Sequence, residues 1–256
     1  MKLLLSNKSL IEHIMQKIEN KTMEKKIYNL IILDESGSMQ SIKSQAITGL
    51  NETLQTIKSA QDKFESQSHY VTLVSFNTNR VKTIYDCCPV NQIQELSNTD
   101  YQPNACTPLY DAMGISLTQL MEVVKDEDNV LVTIITDGYE NASREYSGKA
   151  ILQLIERLKA KGWIFAYIGA NQDVEKVASS MGIKNSLFFD ADEEGAKRMF
   201  KQDKESRKEL YCCIDEGMDS RKLSEREYFK DTTVKNPVKE TSEKKVEKKK
   251  NSWWPF

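Results

Sequence analysis

The chain has 256 residues and a mass of 29.4 kDa, room for one domain of ordinary size with appended segments or for two small domains. A hydrophobic share of 39% and a mean hydropathy of −0.56 make it more polar than a typical compact domain, and no apolar run approaches the ~20 residues needed to cross a bilayer. Lys+Arg 36 against Asp+Glu 38 leaves a net charge of −2, which removes the global electrostatic argument for nucleic acid or an anionic membrane as partner.

In chain order, residues 1–23 read as an appended helix, with Leu10, Ile11, Ile14, Met15 and Ile18 at helical spacing. Met23 offers a second translation start. The opening Met1-Lys2-Leu3-Leu4-Leu5 is cut by Ser6-Asn7-Lys8, too soon for a signal-peptide core, so a cytoplasmic location is expected. The cysteines agree: Cys87, Cys88, Cys106, Cys212 and Cys213 form two adjacent pairs and an odd thiol, a poor disulfide framework without a CxxC zinc spacing.

From residue 24 to 190 short apolar runs alternate with helical patterns. Ile27–Leu33 is a strand-length apolar run, and Ile42, Ala46, Leu50, Leu54 and Ile57 then step as a helix. Tyr70–Phe76 and Arg80–Tyr85 read as strands joined by a turn at Asn77-Thr78-Asn79. Leu109, Met113, Leu117, Leu120 and Val124 mark a helix, Val130–Thr136 a strand, and Ile151, Leu154, Ile155 and Leu158 another helix. Trp163–Ile168 is a strand, Val174–Met181 a short helix and Ser186–Phe189 a last strand. Strands apolar throughout are covered on both faces, and their alternation with amphipathic helices predicts an α/β fold: a doubly wound, mainly parallel sheet with helices on both faces and one antiparallel edge hairpin. A helical segment is expected over 191–231. Residues 232–250, with seven Lys against three Glu, and the terminal Trp253-Trp254-Pro255-Phe256 read as a disordered basic tail with an aromatic end.

In such sheets ligands bind beyond the carboxyl ends of the strands, where strand order reverses. Asp34-Glu35-Ser36-Gly37-Ser38 follows the first strand, Asp137-Gly138 follows a later one, and Cys106-Thr107-Pro108 precedes a helix, with Thr107 expected as its N-cap and Pro108 as its first residue. Asp34, Ser36, Ser38, Thr107 and Asp137 together offer two carboxylates and three hydroxyls. These hard oxygen donors suit Mg²⁺, or Mn²⁺, and not zinc. With neutral hydroxyls bound directly and the carboxylates acting through water, the metal stays electrophilic, and a partner's Asp or Glu can complete its sphere. The set is expected on solvent-facing loops, with Glu35 solvated at its border and Glu140 and Asn141 as candidates for lining it. Asp111 reads as a loop-bonding carboxylate, and His13 and His69 as structural or exposed.

The pattern Asp34-x-Ser36-x-Ser38, Thr107 and Asp137 resembles the metal-ion-dependent adhesion site of von Willebrand factor type A domains, over about residues 26 to 190. Thr107-Pro108-Leu109-Tyr110-Asp111-Ala112, Ile135-Thr136-Asp137-Gly138-Tyr139-Glu140-Asn141 and the run from Gly162 to Asn171 resemble stand-alone bacterial members, including phage-linked ones. The resemblance implies a central, mainly parallel sheet, Mg²⁺ binding and metal-dependent protein recognition, seldom catalysis, and it brings an ATPase into view as a partner. Cys106 departs from it, since Gly or Ser is common there. Two alternatives stand beside the recognition module. One is an assembly protein that docks or self-associates through Trp253, Trp254 and Phe256. The other is a Mg²⁺-dependent phosphohydrolase with an Asp nucleophile. Ser36 stands where that enzyme's second carboxylate would be, and no Gly-rich GK[ST] loop occurs.

Overall fold

The alternation of side chains along the strands sorts the apolar residues onto two sheet faces, and helices cover both. The structure is a computed structural model that describes residues 24–170 and 173–229. The helix expected at 1–23 and the expected tail, with Trp253, Trp254 and Phe256, lie outside the described residues. Six strands, β1 (Lys25–Asp34), β2 (Gln67–Asn77), β3 (Arg80–Pro89), β4 (Asn129–Thr136), β5 (Ile164–Gly169) and β6 (Asn185–Phe188), form one sheet in the order β3-β2-β1-β4-β5-β6. All neighbours are parallel except the β2–β3 hairpin at one edge.

Ile27, Ile31 and Leu33 of β1 share one face with Leu131 and Ile135 of β4 and with Ile164 and Ile168 of β5. That face is covered by α1 (Lys43–Lys63) and α5 (Glu193–Asp215), with the short α6 (Ser220–Glu225) adding Leu223. Tyr28, Leu30, Ile32, Val132, Ile134, Phe165 and Tyr167 point to the other face, under α2 (Leu109–Met121), α3 (Gly148–Ala160) and α4 (Val174–Ser180).

The first face also carries polar residues in strand register, and α5 answers them. Tyr211 donates its hydroxyl to Asn29 Oδ1 at 2.6 Å, and Arg207 reaches Thr133 Oγ1 at 2.7 Å. Arg207 is wholly buried and bonds Asp203 at 2.6 Å, while Tyr228 donates to the other oxygen of that carboxylate at 2.9 Å. Burial works against the Arg207 charge, and Asp203 beside it more than offsets this, so the guanidinium stays protonated. His69 is buried, in edge contact with Tyr211, and burial lowers its pKa to about 4. Through Met199, Phe200, Tyr211 and Ile214, α5 belongs to the same core as β1.

Strand order reverses between β1 and β4. Successive strands run outward from β1 on one side and from β4 on the other, so the loops after these two strands diverge and leave a crevice between them.

Candidate functional site

Asp34 is the last residue of β1 and is fully buried, not set on a solvent-facing loop as the sequence suggested. Its carboxylate accepts the Ser36 N–H at 2.7 Å and the Thr136 hydroxyl at 2.6 Å, and its carbonyl accepts the Tyr101 hydroxyl at 2.5 Å. Burial pushes its pKa up to about 6; the bonds from Thr136 and Ser36 oppose the rise, and the nearby Asp137 charge adds to it. Among the described residues no Lys or Arg forms an ion pair with Asp34.

The turn folded over Asp34 brings the hydroxyls together. Ser36 Oγ lies 3.2 Å from Ser38 Oγ, and Ser38 donates to Asp137 Oδ1 at 2.6 Å. Asp137 is buried, which raises its pKa, while the Ser38 bond opposes the rise. A Cβ at Gly138 would stand 3.5 Å from Thr107 Oγ1 and 3.8 Å from Ser38 Oγ. The Thr107 hydroxyl therefore faces the same small space, which the glycine keeps open. Asp34, Ser36, Ser38, Thr107 and Asp137 are thus brought together from three loops. Among the described residues no three His, Cys, Asp or Glu side chains form a metal cluster, so a zinc-type centre does not fit. Two buried carboxylates with three hydroxyls fit a hard divalent cation.

The loops are tied to one another by backbone bonds. Gly37 N–H donates to Ala105 O at 3.1 Å, and Cys106 and Thr78 bond reciprocally, through the Thr78 hydroxyl at 3.0 Å and the Cys106 carbonyl at 3.1 Å. Thr107 does not cap α2. The helix starts at Leu109, and Pro108 at φ −81°, ψ 66° lies outside it without a side-chain cap. Instead Thr107 N–H donates to Asn141 Oδ1 at 2.9 Å, and Asn141 N–H returns to Thr107 O at 3.2 Å.

The Glu140 carboxylate accepts from Tyr110 N–H at 2.9 Å, Ala142 N–H at 2.8 Å, Ser143 N–H at 2.7 Å and the Ser143 hydroxyl at 2.7 Å. Asp111 accepts from the N–H groups of Arg144, Glu145 and Tyr146 at 2.7–2.9 Å. Glu140 and Asn141 therefore brace the Thr107 loop through these bonds. Glu35 is not solvated: it is fully buried, accepting from Ser75 Oγ at 2.7 Å and Gln102 N–H at 2.6 Å, with Arg80 at 3.9 Å.

The sequence reading missed Thr136 and Tyr101, which hold Asp34, and the exposed Tyr139. Thr136 was within reach, because the residue before Asp137 ends the strand adjacent to Asp34. Tyr101 sits in an irregular loop with no sequence period to mark it.

A family model described as the von Willebrand factor type A domain matches residues 30–203. Comparison with curated proteins gave no match. Among solved structures, the PilB minor pilin from Streptococcus sanguinis is similar at 14% identity over 77% of this chain and 63% of the pilin chain, with a TM-score of 0.52. The pilus adhesin SpaC from Lactobacillus rhamnosus GG is similar at 15% identity over 71% of this chain and 30% of the adhesin, with a TM-score of 0.53. Proximal thread matrix protein 1 from the mussel byssus is similar at 14% identity over 70% of this chain and 45% of that one, with a TM-score of 0.51. At these identities the likeness is one of fold, and the chain spans less than two thirds of each of these proteins.

Proposed function

The chain belongs to the von Willebrand factor type A domain family, and on that premise we propose that it is a Mg²⁺-dependent protein-recognition module using Asp34, Ser36, Ser38, Thr107 and Asp137. Domains of this family are mostly interaction or adhesion modules and often bind a divalent metal. The observation that carries the reading is the continuous contact from Ser36 Oγ through Ser38 Oγ to Asp137 Oδ1, placed where strand order reverses.

Mg²⁺, or Mn²⁺, would supply an electrophilic position that a partner's Asp or Glu completes. Ser36, Ser38 and Thr107 would hold it through neutral oxygens, with Asp34 and Asp137 orienting those hydroxyls and supplying the charge. Both Asp34 oxygens already accept hydrogen bonds within the fold, which argues against its service as a phosphohydrolase nucleophile. Among the described residues no helix is long and apolar enough to cross a membrane. The five cysteines are free thiols, which supports a cytoplasmic, regulatory or adaptor role as in stand-alone bacterial members. The helix at 1–23 and the basic tail at 232–256 are proposed as appendages to this module, the tail with a capacity for self-association.

The test is an affinity pull-down from host lysate, in Mg²⁺ and in EDTA, with the wild type and Ser36→Ala/Ser38→Ala. A partner retained only by the wild type in Mg²⁺ is expected. The same partners in every lane would overturn the reading.

A further inference from the structure

A carboxylate on a bound cation is a generic ligand, so selectivity among acidic partners has to come from the rim of the site. The residues nearest the hydroxyls are small and uncharged, and the cations Arg80 and Arg144 line an adjoining groove with Thr78 and Pro108. Gly37, Ala105, Cys106 and Asn141 are exposed around the hydroxyls, and Gly138 is half-buried between them. A second acidic group on a partner would find no cation among these residues.

Tyr139 differs from its neighbours. It is 54% exposed and is one of two large exposed hydrophobic side chains among the described residues. The other, Val123 at 49%, lies past the C-terminal end of α2, at the opposite end of the sheet. The Tyr139 backbone is fixed on both sides. Gly138 N–H donates to the Thr136 hydroxyl at 3.2 Å, and the Glu140 carboxylate is held by its four donors. The Tyr139 hydroxyl accepts the Asp173 N–H at 3.4 Å, which orients the ring without covering it. An aromatic presented from a braced loop offers a large contact area at small entropic cost, and such residues carry a disproportionate share of interface energy.

We infer that Tyr139 is a specificity-determining residue of the recognition surface, selecting partner segments whose Asp or Glu is neighboured by an aromatic or branched aliphatic side chain that packs on its ring. This rests on the metal-dependent reading above. The partner's acid addresses the cation, and its apolar neighbour addresses Tyr139.

The experiment is selection of a random peptide library displayed on phage against the full chain in Mg²⁺, with elution by EDTA, for the wild type, Tyr139→Phe, Tyr139→Ala and Val123→Ala. The wild-type pool is expected to be enriched in an acid with an apolar residue at fixed spacing. Tyr139→Phe and Val123→Ala should keep that pattern, and Tyr139→Ala should keep the acid and lose the apolar preference. By fluorescence anisotropy the best wild-type peptide should bind Tyr139→Ala about tenfold or more weakly, with Mn²⁺ affinity unchanged. Acidic, EDTA-eluted peptides with the same flanks on wild type and Tyr139→Ala would overturn the role of Tyr139 and leave the metal site standing. A wild-type pool without EDTA-eluted acidic peptides would overturn both.

Discussion

Replacing Asp34 by Asn is expected to stabilise the metal-free protein at neutral pH, although the residue stands at the heart of the proposed site. Burial raises the Asp34 pKa from an ordinary 3.8 to about 6. A folded-state pKa above the unfolded one means that the folded chain keeps a proton the unfolded chain has released. The group's contribution to stability is fully present below the unfolded value and is lost as pH rises through about 6. About two pKa units at ~1.4 kcal/mol each put the cost of the ionised, buried carboxylate near 3 kcal/mol at neutral pH. Asn carries no such cost and fits the same bonds. One amide oxygen can accept from Ser36 N–H, and Thr136 can turn its hydroxyl to the Gly138 carbonyl 3.2 Å away. Thermal denaturation in EDTA should show Asp34→Asn level with the wild type near pH 4 and more stable by roughly 6–12 °C near pH 7.5. Saturating Mg²⁺ should raise the wild type alone and close or reverse the gap, because the cation offsets the buried charge. A variant less stable than wild type in EDTA at neutral pH, or a gap that does not change with pH, would show that the buried Asp34 charge is not a cost to the fold.

Gly49→Ala should destabilise the fold by about 2–3 kcal/mol, since a Cβ there would come within 2.0 Å of the Phe200 ring and force α1 and α5 apart. Urea denaturation should show the loss, and Gly49→Ala/Phe200→Leu should recover part of it. Arg207→Met strands the buried Asp203 carboxylate and should cost about 3–5 kcal/mol, most of it regained when Asp203→Leu is added; no recovery would contradict the ion-pair account. Glu140→Ala frees four donors in the loop behind Thr107. It should weaken Mn²⁺ affinity about ten- to a hundredfold, read by titration calorimetry, while the fold persists.

The sheet was legible because β1, β4 and β5 are buried on both faces and are therefore apolar nearly throughout, and because Asn77-Thr78-Asn79 marks the hairpin. The attachment of α5 was not legible. Its sequence is rich in Lys, Glu and Asp, and its hold on the sheet depends on Arg207, Asp203 and Tyr211 meeting Asn29 and Thr133, a pairing that only the three-dimensional register reveals. At the site, residue types and strand ends pointed to Asp34, Ser36, Ser38, Thr107 and Asp137, but side-chain direction was beyond reach. Glu35 was expected in solvent and turns inward to Ser75, because its N–H still bonds Phe76 O and carries the β1 ladder one residue further. The Thr-Pro pair looked like a helix start, yet Pro108 is not helical and the first turn is served by Glu140 from another loop.

The three hydroxyls and two carboxylates are proposed to hold one divalent cation. An electron paramagnetic resonance titration of Mn²⁺ into the full chain tests it most directly, with the wild type beside Ser36→Ala/Ser38→Ala. A single class of bound Mn²⁺ at one ion per chain, displaced by Mg²⁺ and lost in the double variant, is expected. Free Mn²⁺ signal throughout for the wild type, or binding that the double variant retains in full, would contradict it.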